Sequence, residues 1–233
     1  MSDAVARYAL YYAPEPHTAL WHFGSSVLAY DAATVRALTT PDFAGAFADR
    51  WMELTHEPRK YGFHATLKAP FRLHADFDEA RLIRAIHDFA AVTKKAPIDG
   101  LMVGSIGPFI ALKTVGDDRA LNQLAAHIVD HFDAFRAPLS EEERARRLKS
   151  PLTERQMTYL ERYGYPYVHE EFRFHMTLTH SLHVDDRDAM RALLDEAYRT
   201  MVPESVPAID RICLYKQDAP DMRFRIIADA TLL

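Results

Sequence analysis

Phe63-His64-Ala65-Thr66-Leu67 and Phe174-His175-Met176-Thr177-Leu178 are two copies of one string, Phe-His-x-Thr-Leu, whose histidines stand 111 positions apart in a chain of 233 residues. That spacing is too long for a tandem array and fits two related units of one α+β domain. In an extended strand, alternate side chains face opposite ways. His64 and Thr66 therefore share a face, with Phe63, Ala65 and Leu67 on the other; His175 and Thr177 are sorted from Phe174, Met176 and Leu178 in the same way. The apolar face predicts burial. The polar face predicts a groove lined from opposite walls by two imidazoles and two hydroxyls.

Outward from the two strings, the pattern runs strand, helix, strand, strand in each half. RYALYYA at 7–13 reads as a buried strand stopped by Pro14 and Pro16, with a short helix from Thr18. A strand over 62–71 carries the first string. After the caps Asp76 and Asp78, Leu82, Ile83, Ile86, Phe89 and Ala90 recur at helical spacing. Strands over 98–103 and 109–115 follow, then a helix with Leu121, Leu124, Ala125, Ile128 and Val129 on one face. The second half gives a strand over 168–182, a helix from Asp185 or Asp186, and strands over 208–216 and 224–230. Between the halves, two capping boxes (Ser140 with Glu143, Thr153 with Gln156) and Gly164 mark a charge-rich helical connector. The expectation is a single bilobal α+β domain over 1–233. Segments of about 1–138 and 165–233 form the lobes, a connector of about 139–164 joins them, and antiparallel sheets line a central groove with helices outside.

Two imidazoles facing one phosphoryl group suit phosphodiester cleavage, which needs one proton removed from a nucleophile and another delivered to a leaving oxygen. The hydroxyls of Thr66 and Thr177 are placed to donate to phosphoryl oxygens. Alternation puts Lys68, Arg173 and Thr179 on the same strand faces as candidate substrate ligands, unless a β-bulge intervenes. The scheme needs neither metal nor cofactor. Taken singly, a His-x-Thr on a strand is ordinary, and the matched pair carries the reading.

The other features weigh less. His127 and His131 stand four apart on a helix without the Glu of a His-Glu-x-x-His site, so a helix surface is the simpler reading. His180 and His183 leave a metallohydrolase as a weaker alternative. Tyr8 and Tyr11 in the first strand can reach the groove, yet aromatic strand residues are usually core, and Cys213 reads as an inert buried thiol. The eight glycines form neither a phosphate loop nor a dinucleotide fingerprint. A single cysteine and the lack of a leader imply a reducing cytoplasm, and no apolar run is long enough for a membrane span. A net charge of -5 favours a small anionic phosphoester over RNA as partner.

On these motifs the chain resembles the 2H phosphoesterases, a superfamily named for paired His-x-Thr/Ser motifs in a duplicated α+β fold. The longer strings YGFHATLKAPF and YPYVHEEFRFHMTLTHSL resemble more narrowly its bacterial branch of phosphonate-metabolism proteins, the DUF1045-like proteins. The resemblance implies a metal-independent hydrolase that opens a small cyclic phosphodiester, either a 2',3'-cyclic nucleotide or a cyclic ribosyl phosphate. His64 and His175 would be the acid/base pair, with Thr66 and Thr177 as phosphate ligands. The alternatives are an RNA-end 2',3'-cyclic phosphodiesterase or ligase, and a non-catalytic module that holds a phosphometabolite.

Overall fold

The computed structural model describes residues 6–203 and 208–233. Seven strands form one sheet: β1 (Arg7–Tyr12), β2 (Ala65–Arg72), β3 (Leu101–Ile106), β4 (Phe109–Thr114), β5 (His175–Thr177), β6 (Arg211–Gln217) and β7 (Arg225–Thr231). Their order is β7-β6-β1-β2-β5-β4-β3, and every neighbouring pair is antiparallel. Among the described residues, six α-helices have seven or more residues: α1 (Ala19–Leu28), α2 (Glu79–Ala90), α3 (Arg119–His131), α4 (Glu141–Arg147), α5 (Glu154–Tyr163) and α6 (Val184–Met201).

Local signals start these helices where the sequence places them. Thr18 and Asp78 accept hydrogen bonds from Trp21 N and Arg81 N at the starts of α1 and α2. Both capping boxes form, and Gly164 ends α5 in the left-handed conformation (φ 72°) that a residue without Cβ adopts freely. One face of the sheet is covered by α2 on β6 and β7, α3 on β2, and α6 on β3 and β4. There Leu10, Phe63, Leu67, Leu112 and Met176 pack with Leu82, Ile86, Ile128 and Leu194, all essentially inaccessible to water. Burying each such side chain is worth about 1.5–3 kcal/mol. Phe63 anchors the first motif on α1, where its ring lies so close to Gly24 that an added Cβ would meet it at 2.1 Å. On the opposite face a smaller cluster of Tyr11, Trp21, Tyr30, Tyr215, Cys213 and Phe224 covers only the β1–β6 side. Burial there pushes the Cys213 thiol up to about 12, leaving it un-ionised.

The α+β class and antiparallel pairing are those expected, but the strand sets do not face each other across a groove. They meet edge to edge where β2 pairs with β5. The segments 1–138 and 165–233 also exchange strands: β5 inserts between β2 and β4, while β6, with β7 outside it, lies beside β1. Each side of the sheet is thus built from both segments. The strand expected over 168–182 shrinks to His175–Thr177, because His169–Glu171 winds into a 3-10 turn, with His169 at φ 52°, and the chain past Thr177 leaves the ladder. No helix among the described residues is long and apolar enough to cross a membrane.

Candidate functional site

The two motifs meet at the centre of the sheet. Ala65 lies opposite Met176 in the antiparallel β2–β5 pair. One step to either side, the register sets His64 against Thr177 and Thr66 against His175. Both imidazoles and both hydroxyls therefore occupy one small square on the open face, on adjacent strands rather than on opposing walls.

Each imidazole is oriented in the same way. His64 Nδ1 lies 2.8 Å from the carbonyl of Gly62, and His175 Nδ1 lies 2.8 Å from the carbonyl of Arg173. A carbonyl only accepts, so Nδ1 carries a proton in each ring and Nε2 is the nitrogen left to exchange one. Thr66 Oγ1 is 3.3 Å from His64 Nε2 and donates to it. Gly62 holds its carbonyl in place at φ 75°, and a Cβ there would come within 2.7 Å of the Ala32 methyl, so both backbone and space call for glycine. The Tyr11 ring stacks on His64 with centroids 3.8 Å apart and planes 23° from parallel. Desolvation in this stack lowers the His64 pKa to about 4; the Gly62 carbonyl works the other way, and repulsion from His175 adds to the lowering. Near neutral pH, His64 is an uncharged acceptor.

A cleft of about 350 Å³ opens over the square. His64, Thr66 and Thr177 line it together with Arg7, Tyr11, Tyr61, Arg147, Tyr165 and His180. An adjoining hollow of about 380 Å³ takes His175 and Arg173 and shares Thr66, Phe109 and Tyr165 with the first. These sizes suit small-molecule ligands. The connector builds one wall. Its helix α4 is tied to β2 by the Arg72–Glu143 ion pair (3.1 Å), and its last residue, Arg147, lies 4.8 Å over the Tyr165 ring.

Three expected ligands have other duties. The β1–β2 register slips beside Leu67, pairing Leu10 with Lys68 but Tyr11 with Thr66. This bulge turns Lys68 to the helix-covered face, where its ammonium donates to Asp133 Oδ1 (3.1 Å) and to the Val129 carbonyl. Thr179 lines the cleft, yet its buried hydroxyl accepts from Ile110 N (3.0 Å) and donates to the His180 carbonyl. Arg173 donates to the carbonyls of Glu170 and Phe172 beside the hollow. His127 and His131 flank the Phe89 ring, and His183 caps α6. Among the described residues, no three His, Cys, Asp or Glu side chains cluster as a metal centre would need. Arg7, Arg147 and Tyr165 escape the sequence reading, and Tyr11 is both core and cleft wall. An aromatic next to the motif strand was the one signal available.

Comparison with known proteins bears on what this site serves. Over 226 residues, 96% of this chain, the sequence is 36% identical to a protein of Janthinobacterium sp. named ribose 1,5-bisphosphate phosphokinase PhnN. A protein of the same name from Laribacter hongkongensis is 34% identical over 179 residues, 76% of this chain. The chain spans about half the length of the curated relatives it matches, 50% and 40% respectively. A conserved Agrobacterium tumefaciens protein of unknown function with a solved structure aligns over 96% of this chain and 85% of its own, with a TM-score of 0.41 and 12% identity. The relatives' names correct the expectation of a cyclic phosphodiesterase: they are phosphokinases by name, not hydrolases of a phosphoric diester. With its residues 66–225 matched, from the first motif strand through the second and on to β7, the chain belongs to the family described as protein of unknown function DUF1045.

Proposed function

We propose that the square of His64, Thr66, His175 and Thr177 is a phosphate-binding site for a phosphorylated ribose. The observation that carries this reading is the Ala65–Met176 register, which gathers the four groups on one open face of the sheet. The threonine hydroxyls donate to phosphoryl oxygens. The two Nε2 atoms, held by their Nδ1 carbonyl bonds, accept a proton or hydrogen bond from a sugar hydroxyl or a phosphate O–H. The paired motif also supports kinship with the 2H superfamily at the level of this constellation. Ribose as the sugar rests on the relatives' name, ribose 1,5-bisphosphate phosphokinase, and agrees with the resemblance to phosphonate-metabolism proteins. The eight glycines form no nucleotide phosphate loop. We therefore give this chain sugar-phosphate binding, and give transfer from a nucleoside triphosphate to the part of those relatives that it does not span.

Calorimetric titration with ribose 5-phosphate tests the reading. The chain binds it saturably, and His64→Ala and His175→Ala each weaken binding by roughly tenfold while the fold is retained. Affinity unchanged in both variants would overturn the assignment.

A further inference from the structure

The four groups of the motif square do not account for the whole cleft. Its remaining wall carries two guanidinium groups, of Arg7 and Arg147, and among the described residues neither is paired with a carboxylate. Both side chains are half-buried. Arg7 is held by the neutral side-chain oxygen of Gln217 (2.9 Å) and faces the Phe224 ring, so its charge stays uncompensated. Arg147 lies over the Tyr165 ring face, 4.8 Å from its centroid. Tyr11 lines the same cleft; the residue is 1% exposed, and its hydroxyl bonds to no group among the described residues. Arg7 and Arg147 both lower the Tyr11 pKa while Tyr61 and Tyr165 raise it, although burial dominates and keeps the phenol protonated. The hydroxyl is therefore a donor, in a cleft that all four of these side chains line. Glu57 is the sole carboxylate among the lining residues, and it is exposed and beside His56 (3.6 Å).

Half-buried cations without counter-charge, lining one cleft with a free hydroxyl donor, fit an anion. We propose that Arg147, Arg7 and the Tyr11 hydroxyl form a second phosphate subsite beside the motif square, so that the preferred ligand is a small sugar bearing two phosphate monoesters. The inference rests on the phosphorylated-ribose reading and deepens it. It also gives the connector a purpose: α4, clamped to β2 through Arg72 and Glu143, delivers Arg147 to the ligand's far end.

Calorimetry with ribose 5-phosphate and ribose 1,5-bisphosphate, on the whole chain and on Arg147→Gln and Tyr11→Phe, decides the matter. The whole chain should bind the bisphosphate roughly tenfold tighter or better, a ratio that a charge-assisted contact supplies. Arg147→Gln should bring the ratio to about one, and Tyr11→Phe, which keeps the stacked ring, should lower it by roughly threefold. Thermal melts confirm that both variants fold. A ratio near one in the unaltered chain, or a ratio that survives both substitutions, overturns the second subsite and leaves the first intact. Failure of both sugar phosphates to bind the unaltered chain overturns both subsites.

Discussion

The two copies of Phe-His-x-Thr-Leu share their sequence and their histidine orientation, but their surroundings differ. His64 sits at the head of the eight-residue strand β2, under the Tyr11 ring and within reach of Thr66. His175 begins a three-residue strand, with its nearest aromatic ring, Phe109, at 5.9 Å and tilted by 48°. The fifth residue of the pattern counted from each histidine has left the ligand role in both copies, by different routes. Lys68 is turned through the sheet by a bulge into an ion pair, whereas Thr179 stays at the cleft and ties down backbone. A motif therefore specifies where an imidazole points, while the strand that carries it and the ring beside it set its charge.

The largest test of this contrast is Tyr11→Ala. Removing a fully buried ring should cost about 3–5 kcal/mol in chemical denaturation, and the His64 pKa should climb from about 4 toward 6.5 in an NMR titration as water enters. A His64 that still titrated near 4 would break the link between stacking and charge. Next is Asp133→Ala, which strands the buried Lys68 ammonium. The loss should be about 2–3 kcal/mol, below the range for fully buried pairs because Asp133 is 25% exposed, with sugar-phosphate binding unchanged. Weakened binding at unaltered stability would return Lys68 to the site.

Acid comes third. With its folded pKa depressed, His64 takes up its proton more readily in the unfolded chain, so stability should fall as pH drops from about 6.5 to about 4. The slope is at most about 1.4 kcal/mol per pH unit, and His64→Gln should flatten that part of the profile. The smallest effect is expected of Thr179→Val, which leaves Ile110 N without its acceptor and should cost about 1–2 kcal/mol in the same assay.

Much of this was legible in the chain itself. Alternation sorted His64 and Thr66 from Phe63 and Leu67 correctly because a strand's period is fixed by its backbone. The capping boxes at Ser140 and Thr153 formed because each satisfies its own helix end locally. What escaped was non-local. The bulge beside Leu67 depends on β1 as partner; Pro70 signals an irregular strand, but not which residue the register skips. Pairing of β2 with β5 rests on tertiary packing around Phe63 and Met176, so two lobes and one sheet predict the same hydrophobic pattern. Arg147 lies in the charge-rich connector, and a sequence does not show which side of a connector faces a cleft.

The β2–β5 seam also has a consequence in time. His64 leaves the ribosome long before His175, and the strand that must lie beside it is encoded after the connector. The square cannot exist in any nascent chain that stops short of Thr177, and β1 waits longer still for β6 to cover its other edge. Closing such distant pairings slows folding, and until then β2 shows an unpaired edge. The appearance of the site thus reports that β2 and β5, encoded on either side of the connector, have found each other.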